Sequence, residues 1–376
     1  MVYNYDPLNL RGGGGIRHVN NLKDYLIKNK FKLTIIGVRL KKKQIPKLNF
    51  KFIPILNEST NWWRFFINLF LYIPFINLSE NTIIHTHRTY FMLPFIIFKR
   101  RNPKVCTLHM KPIEFVKIEF AKYYKIINIP HKIIDSFCLR RMDTLIAISE
   151  DVKLAYEERY PVLKGKIKKI SGTGVEVDRF VILNKNKIRD EFKLSHDDVI
   201  ILFAGRLEKI KNLSFLIKSF YCSLKENQNF KLMIVGEGSE RPYLEKLVFE
   251  LDIEDKVIFL GQIDPMDMPK IYNCADITTL TSISEGSPTV LKESLACGTP
   301  VVTMNVGDSN KIISENGLGL VVMEFNEICF SNAIIKTLNY INNNSYIRQK
   351  CRSVILEKYS FEKIGNEIIE IYKGIL

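Results

Sequence analysis

Features that mark an extracellular or membrane-spanning protein are missing from this chain. Its seven cysteines contain no Cys-x-x-C pair, and their odd number argues against a disulfide framework. The most apolar stretch, residues 61–73, is too short and too interrupted, by Arg64 and Asn68, to span a bilayer. The N-terminus is short, polar and glycine-rich, unlike a cleavable signal peptide. A cytoplasmic location is therefore expected.

The motifs of several catalytic and binding sites are missing as well. No nucleophile has the spacing of a Ser-His-Asp triad, and no Asp-x-Asp follows an apolar strand. The histidines lack the spacing of a three-ligand metal site, so no essential metal is expected. No recognised nucleic-acid-binding motif is present, and nucleic acid is not expected as a partner.

Acidic residues are scarce in the first half only. Residues 1–180 hold 32 Lys and Arg against 14 Asp and Glu, whereas residues 181–376 hold 23 against 26. This excess is explained either by a lysine-rich composition or by a surface that faces something anionic. An anionic membrane surface fits the second explanation, because each nearby Lys or Arg adds about 1 kcal/mol of attraction.

The length and composition predict two globular α/β domains, each with its own core. Continuous apolar runs separated by helical segments are typical of parallel strands buried on both faces and joined by right-handed crossovers. The second half is predicted to hold five such strands, at residues 199–204, 230–235, 256–260, 276–280 and 300–303. A linker is expected near residues 176–195. The first predicted strand, residues 2–5, is short for such a domain, so the start of the chain is interpreted either as clipped or as a misassigned start codon.

The stretch from Ser284 to Glu293 is the main candidate for a site. It follows an apolar strand and runs into a predicted helix over residues 287–297, with Pro288 in the first turn. Glu285 and Glu293 flank the helix start, about 12 Å apart if helical. Unpaired N–H groups at a helix start bind phosphate, and carboxylates accept hydrogen bonds from hydroxyls. The pattern suits a diphosphate with a sugar at each end.

Two cations and a glycine run add to this candidate site. Arg206 and Lys211 follow the strand that ends at Gly205, and both side chains can bind phosphate oxygens. Gly13 and Gly14 lie between the first strand and a helix, where a glycine-rich loop lets backbone approach a ligand. Together these groups suit a leaving diphosphate whose negative charge grows as a sugar C1–O bond breaks.

Other residues of the first half carry weaker predictions. His109 ends a predicted strand and is a candidate donor to a substrate oxygen, whereas a structural role is favoured for His85 and His87. The aromatic segment at residues 61–73 and the basic, aromatic helix at residues 113–128 are interpreted either as core and solvated helices or as membrane-contacting ones.

Six short matches make the chain resemble a retaining glycosyltransferase of family 4. The resemblance is carried by Gly13-Gly14 with Arg17-His18-Val19, Thr107-Leu108-His109, Ala147-Ile148-Ser149-Glu150, Gly174-Val175 with Asp178 and Phe180, Gly205-Arg206-Leu207 with Lys211, and Glu285 with Glu293. The last pair resembles the Glu-x7-Glu motif of that family. The resemblance implies the GT-B fold, in which two Rossmann-like doubly wound domains face a central cleft. The expected domains are residues 1–180 on the acceptor side, residues 181–358 for the nucleotide sugar, and a helix at 359–376 returning to the first domain.

The resemblance also implies roles for the site residues. Glu285 would contact hydroxyls of the donor sugar, Glu293 the ribose diol, and His109 the sugar. Arg206 and Lys211 would hold the diphosphate of a UDP- or GDP-type donor. The other implied donor contacts come from backbone of Gly13, Gly14, Gly205, Ser287, Pro288, Thr289 and Val290, with Gln262 and Ile263 at the base. Retention is explained by front-face attack, in which the leaving phosphate oxygen takes the proton of the acceptor.

Three residues depart from the family pattern, and two alternative functions remain. Ile16 stands where an acidic residue is common, Met110 where glycine is common, and Thr173 where asparagine is common. The expected activity is transfer to a glycan or lipid-linked glycan of a bacterial surface polysaccharide, in the cytoplasm or at the inner face of the membrane. The alternatives are a nucleotide-sugar 2-epimerase of the same fold and a non-catalytic sugar or nucleic-acid binder.

Overall fold

The computed structural model describes residues 1–8, 14–40, 48–57, 61–112 and 124–376. These residues divide into two compact units, Met1–Thr173 with Phe361–Leu376 and Gly174–Ser360. Each unit has its own hydrophobic core and its own parallel β-structure flanked by helices. None of the described helices has both the length and the apolar character needed to cross a bilayer.

The first unit is built on short parallel strands. Its described strands are β1 (Thr34–Arg39), β2 (Lys51–Asn57), β3 (Ile84–Thr86), β4 (Lys104–Leu108), β5 (Thr144–Ala147) and β6 (Ile167–Lys169). Its described helices before the second unit are α1 (Gly14–Lys28), α2 (Trp62–Tyr72), α3 (Leu93–Phe98), α4 (Tyr124–Arg140) and α5 (Glu150–Arg159). Strands β3 to β6 pair in sequence order, and β1 pairs with β2. Val2 bridges Ile36 of β1 and Thr86 of β3, so the short first segment joins the two groups of strands.

The second unit is a six-stranded parallel sheet in the order β12-β11-β10-β7-β8-β9. Its strands are β7 (Val199–Ala204), β8 (Phe230–Val235), β9 (Val257–Gly261), β10 (Ile277–Leu280), β11 (Val301–Met304) and β12 (Gly319–Val322). Its helices are α6 (Lys185–Glu191), α7 (Leu213–Ser223), α8 (Arg241–Glu250), α9 (Met268–Cys274), α10 (Thr289–Ala296), α11 (Ser309–Ile313), α12 (Glu327–Asn342) and α13 (Ile347–Lys358). The order of winding reverses between β7 and β10, which is the arrangement of a Rossmann-type sheet.

The last helix, α14 (Phe361–Lys373), belongs to the first unit. A methyl group on Gly365 would lie 2.3 Å from the ring of Tyr25 on α1, so the glycine permits close packing of the two helices. The Tyr25 hydroxyl donates a hydrogen bond of 2.7 Å to Asn366. The chain therefore leaves the first unit after Thr173 and returns to it at Phe361.

Three details of the predicted organisation differ from the structure. The sheet of the second unit has a sixth strand, β12, which the sequence pattern missed because it is short, begins with glycine and is only partly buried. The second unit begins at Gly174 rather than at residue 181, since the Val175 N–H donates to the Tyr359 carbonyl and Phe180 packs on Tyr272. The helix predicted at residues 113–128 lies outside the described residues up to 123, and α4 continues beyond it to residue 140.

The predicted linker at residues 176–195 is wrong. Helix α6 lies in this segment and buries Ile188 in the core and Arg189 beside it, so a polar sequence still packs against the second unit. Arg189 is 3% exposed. Its guanidinium donates hydrogen bonds to the Cys274 carbonyl at 3.0 Å and to the Asp276 carboxylate at 2.8 Å. These long-range partners leave no periodic signal in the local sequence.

Candidate functional site

The loops after β7 and β10 meet at the reversal point of the second sheet. The two strands pair directly, with Phe203 opposite Thr279, and both loops leave from the carboxyl ends of their strands. Ligands of open α/β sheets bind outside such a reversal point. Two hydrogen bonds join the loops. The Ile283 N–H donates to the Ile210 carbonyl at a distance of 2.8 Å, and the Thr281 hydroxyl donates to the Lys211 carbonyl at 3.0 Å.

Lys211 and Glu285 are in direct contact at this point. The Lys211 ammonium donates to Oε1 of Glu285, and the Ser282 hydroxyl donates to the same oxygen at 2.8 Å. The side chains of Lys211 and Glu285 are only 19% and 18% exposed. Since no described residue donates to Oε2 of Glu285, this oxygen is able to accept a hydrogen bond from a ligand hydroxyl.

Arg206 lies at the end of β7 as expected, but its guanidinium pairs with Glu208 at 2.5 Å. The Arg206 side chain is 63% exposed, and an exposed ion pair of this kind contributes little to stability. The guanidinium can therefore exchange Glu208 for an anionic ligand at small cost. The structure does not bring Arg206 into contact with Lys211 or Glu285.

Helix α10 begins at Thr289, and Pro288 is its N-cap rather than a residue of its first turn. Pro288 has extended backbone angles, φ −69° and ψ 115°, which end the preceding loop instead of continuing the helix. Pro288 makes no side-chain capping bond, and the first N–H groups of an α-helix, here including those of Thr289 and Val290, have no partner within the helix. The Ser287 side chain is 7% exposed and bonded within the protein, which leaves only its backbone for a ligand.

Glu293 is held from the side by a tyrosine that the sequence analysis did not single out. Glu293 is 3% exposed, and its Oε2 accepts a hydrogen bond of 2.8 Å from the hydroxyl of Tyr272, which is itself fully buried. The two residues lie on α9 and α10, and no motif in the sequence connects them. A buried tyrosine hydroxyl usually needs a hydrogen-bond partner. The presence of a tyrosine in an apolar helix was therefore the one sign in the sequence that Tyr272 bonds to another side chain.

Replacing Tyr272 with phenylalanine is expected to raise the KM for the nucleotide donor roughly tenfold, with kcat nearly unchanged. The reason is that a hydrogen bond to a charged group contributes about 1.5–3 kcal/mol, and its loss weakens the positioning of the Glu293 carboxylate, which is expected to contact the donor. Steady-state kinetics with varied donor would measure the effect. Tyr243→Phe, at a position that is 52% exposed, is the matched control and should behave as wild type. An unchanged KM for Tyr272→Phe would remove the assigned role.

Close backbone contacts fix the neighbouring glycine loops. A methyl group on Gly236, whose φ is +133°, would lie 1.8 Å from the Gly205 carbonyl oxygen, and one on Gly238 would lie 2.2 Å from that of Leu207. Side chains are therefore excluded from the contact between the loops after β7 and β8. Gln262 is exposed and Ile263 half-buried just after β9, and their contact with a base remains a prediction.

In the first unit, several histidines form a cluster near the ends of β3 and β4. His85 is buried and bonded at both ring nitrogens, to the Tyr372 hydroxyl at 2.5 Å and to the Thr107 hydroxyl at 2.8 Å, which is a structural role. His87 stacks on His85, and its Nδ1 lies 3.0 Å from Nε2 of His109. The described residues contain no group of three or more acidic, histidine or cysteine side chains arranged to hold a metal.

His109 is half-buried, and its Nδ1 makes no hydrogen bond to the described residues. Burial, then the charges of His18 and Arg88, hold the pKa of His109 well below its usual value. The imidazole is therefore neutral near pH 7 and keeps one nitrogen for a ligand. Gly13 lies outside the described residues, and Gly14 begins α1.

Comparison with known families agrees with this arrangement. The family model described as Glycosyltransferase Family 4 matches residues 12–179, and the one described as Glycosyl transferases group 1 matches residues 184–353. The chain belongs to glycosyltransferase family 4. This glycosyltransferase is 26% identical to an uncharacterized glycosyltransferase of Methanocaldococcus jannaschii, over 99% of this chain and 97% of that one. It is 33% identical to an uncharacterized glycosyltransferase of Haemophilus influenzae, over 52% of this chain and 54% of that one.

Solved structures agree with the fold of this glycosyltransferase. Sucrose-phosphate synthase from Thermosynechococcus elongatus superimposes with a TM-score of 0.84 at 20% identity, covering 99% of this chain and 97% of that one. HepE from Anabaena, solved in complex with UDP, superimposes with a TM-score of 0.78 at 16% identity, covering 99% and 98%. The sequence-based prediction of a GT-B fold with two Rossmann-like domains is confirmed, and so is the prediction of a glycosyltransferase.

Proposed function

We propose that this enzyme transfers a sugar from a UDP- or GDP-type donor to a glycan or lipid-linked glycan, with retention of configuration. The observation that carries the proposal is the contact between Lys211 and Glu285 four residues before the start of α10, whose first N–H groups lack partners within the helix. A cation and a helix N-terminus suit the diphosphate, and a carboxylate with a free oxygen suits the sugar hydroxyls. The related HepE, solved in complex with UDP-glucose, supports this donor class.

The proposed chemistry needs charge stabilisation more than a nucleophile. The bond from the sugar C1 to the phosphate oxygen breaks, and the acceptor oxygen bonds C1 on the same face. The proton of the acceptor hydroxyl passes to the leaving phosphate oxygen, and the nucleoside diphosphate departs. Lys211, Arg206 and the N–H groups of Thr289 and Val290 would stabilise the negative charge that develops on the diphosphate. His109 and Glu293 would contact the sugar and the ribose.

The test is donor binding followed by product analysis. Thermal unfolding with a panel of UDP- and GDP-sugars should identify the donor, because a ligand that binds the folded state raises its apparent stability. With that donor, nucleoside diphosphate should be released only when an acceptor is present, and NMR should show the anomeric configuration retained. Interconversion of the sugar without an acceptor would indicate a 2-epimerase instead, and an inverted product would contradict retention.

A lipid-linked acceptor is supported by two groups of exposed apolar side chains on helices of the first unit, which together we call the apolar face. On α4, four side chains at helical spacing are 39–74% exposed: Ile126, Ile129, Ile133 and Phe137. On and just after α2, four more are 46–88% exposed: Trp63, Ile67, Leu71 and Phe75. Basic residues accompany both groups: Arg64, Lys125, Lys132, Arg140 and Arg141.

This combination suits an anionic bilayer, because apolar side chains enter the acyl region while cations meet the headgroups. The names of two similar proteins refer to glycolipids. One similar protein is named alpha-monoglucosyldiacylglycerol synthase, from Streptococcus pneumoniae, and one similar structure is titled as involved in lipopolysaccharide biosynthesis. We therefore place the proposed reaction at the inner face of a bacterial membrane, in the assembly of a surface polysaccharide.

The variant Ile129→Asp/Ile133→Asp is expected to lose at least about tenfold in binding to anionic vesicles. Two charges in the apolar face oppose insertion and repel anionic lipid. Co-sedimentation with phosphatidylglycerol vesicles at low and high salt measures the effect. Phe249→Asp, at a 71% exposed position of the second unit, is the matched control and should bind as wild type. Binding that ignores salt, anionic lipid and the double substitution would contradict the membrane proposal.

A further inference from the structure

The second unit buries a lysine charge next to the proposed phosphate site. The Lys292 side chain on α10 is 0% exposed, and its ammonium donates 2.9 Å to Oδ2 of Asp308. The same ammonium contacts the Ser287 hydroxyl, which in turn donates 2.7 Å to Oδ2 of Asp308. We call Ser287, Lys292 and Asp308 the buried triad. None of its three side chains was assigned a role by the sequence motifs.

A buried ion pair is a costly way to fill space. Desolvating two charges often costs more than their attraction returns, so apolar residues of the same volume would stabilise such a position at least as well. Burial lowers the pKa of Lys292, while the neighbouring Asp308 carboxylate acts in the opposite direction. Oδ1 of Asp308 is also buried and has no hydrogen-bond partner among the described residues. The pair is therefore better explained by a function than by stability.

The buried triad holds the loop that carries the proposed donor contacts. Asp308 follows β11, whereas Ser287 follows β10 and lies two residues before the start of α10. The two loops are in backbone contact: a methyl group on Gly307, whose φ is +55°, would lie 2.6 Å from the Gly286 carbonyl oxygen. Glu285 belongs to the same loop. A shift of Asp308 would therefore be passed to the loop that carries Glu285 and leads to the proposed phosphate-binding N–H groups.

The charges around Lys292 show which group its ammonium neutralises. Tyr359 packs with its ring centroid 5.5 Å from the ammonium, and burial, followed by the charges of Asp308 and Glu315, raises the pKa of its hydroxyl to about 12. Tyr359 is therefore neutral near pH 7. Glu285, on the adjoining loop, is paired with Lys211. Among the described residues, Asp308 supplies the carboxylate that is ion-paired with Lys292.

We propose that Lys292 is a positioning residue for the donor diphosphate, cancelling the Asp308 charge and fixing the loop before α10 through Ser287. The proposal rests on the proposed function, because it assumes a diphosphate at the start of α10. Without the ammonium, a carboxylate next to that helix start would repel the diphosphate. Ser287 would keep its hydrogen bond to Asp308 but lose its contact with the ammonium, so the loop that leads to the first N–H groups would be held less firmly.

The charge explanation differs from a purely structural one in its pH dependence. In Lys292→Met, Asp308 would be buried without a cation, and burial raises the pKa of such a carboxyl. The carboxylate would therefore take up a proton as the pH falls, and repulsion of the diphosphate would fade. A variant that merely loosens the fold would show no recovery at low pH.

The experiment is calorimetric titration of UDP and GDP into the wild type, Lys292→Met and Lys292→Met/Asp308→Asn, at intervals from about pH 5.5 to about pH 8.5. The single variant is expected to bind about tenfold more weakly or worse at the upper pH, a change of about 1.4 kcal/mol. It should regain most of this affinity at the lower pH. The double variant, which has no unpaired carboxylate, should bind within about threefold of wild type throughout.

Ser294→Ala is the matched control. Ser294 is fully buried on the same helix, away from the buried triad. Its hydroxyl donates to the Thr299 carbonyl at 2.8 Å and accepts from the Thr278 hydroxyl at 2.8 Å. This variant should lower the unfolding temperature while keeping the pH profile of the wild type. Ser294→Ala thus separates lost stability from lost charge balance.

Three outcomes decide the matter. Weak binding by Lys292→Met without recovery at low pH, or without rescue by Asp308→Asn, would overturn the inference and leave the triad a structural role. If Lys292→Met does not fold, the double variant decides alone, and binding more than about tenfold below wild type overturns the inference. Failure of the wild type to bind either nucleotide would instead contradict the proposed function, on which the inference rests.

Discussion

Replacing Lys211 with alanine is expected to lower kcat by roughly 100-fold or more, because in the proposed reaction it removes a cation that would face the developing charge of the leaving diphosphate. The same substitution leaves Glu285 with a single donor, Ser282, at the point where the sugar hydroxyls would bind. Both effects act in the transition state more than in the ground state, so kcat should fall further than donor affinity. Single-turnover and steady-state kinetics with the identified donor measure the two separately.

Two comparisons make the Lys211 result decisive. Lys209→Ala changes an exposed lysine of the same short helical turn, Lys209–Lys211, and should keep kcat within about twofold, since exposed charges contribute little. Arg206→Ala should resemble Lys211→Ala, with a loss of roughly 100-fold, if its exposed guanidinium leaves Glu208 for the donor. Turnover near that of the wild type in both Arg206→Ala and Lys211→Ala would contradict the assigned phosphate site.

Replacing Glu285 with alanine is expected to have the second large effect, again roughly 100-fold or more in kcat. The carboxylate offers one oxygen to Lys211 and Ser282 and keeps the other for a ligand, so its loss removes a sugar contact and leaves a mostly buried ammonium unpaired. An uncompensated charge at such a site is also destabilising. Thermal unfolding should accompany the kinetics so that the two losses are not confused.

The control for Glu285→Ala is Glu254→Ala, an exposed carboxylate of the second unit outside the candidate site. The control variant should match the wild type in both kcat and unfolding temperature. If Glu285→Ala retains more than about a tenth of wild-type kcat while folding normally, the carboxylate does not act as a transition-state contact. Glu285→Gln then distinguishes a need for charge from a need for a hydrogen-bond acceptor.

The sequence predicted secondary structure correctly in segments where nearly every side chain is buried. Strand β7 is a continuous apolar run because parallel strands covered on both faces bury nearly every side chain. Strand β12 was not predicted, because it lies at the edge of the sheet, where its side chains are buried irregularly and give no continuous apolar run. The same reasoning failed for α6, which buries only Ile188 and Arg189 and whose Arg189 bonds to residues far along the chain.

The candidate site divides in the same way. The sequence identified Lys211, Glu285 and Glu293 individually, because they stand in short motifs beside a strand end or a helix start. The contact between Lys211 and Glu285 joins residues 74 positions apart. Tyr272 was missed, since a tyrosine in a buried helix has no distinguishing pattern until its hydroxyl is seen to reach Glu293.

The sequence by itself determined the family, the parallel α/β class and the residue types of the site, because these follow from local periodicity and short motifs. Only the tertiary structure decided which of those residues touch: Lys211 with Glu285, Tyr272 with Glu293, and Lys292 with Asp308. The physical reason is that hydrogen bonds and ion pairs act over about 3 Å. Their partners are chosen by the order of strands in the sheet rather than by distance along the chain.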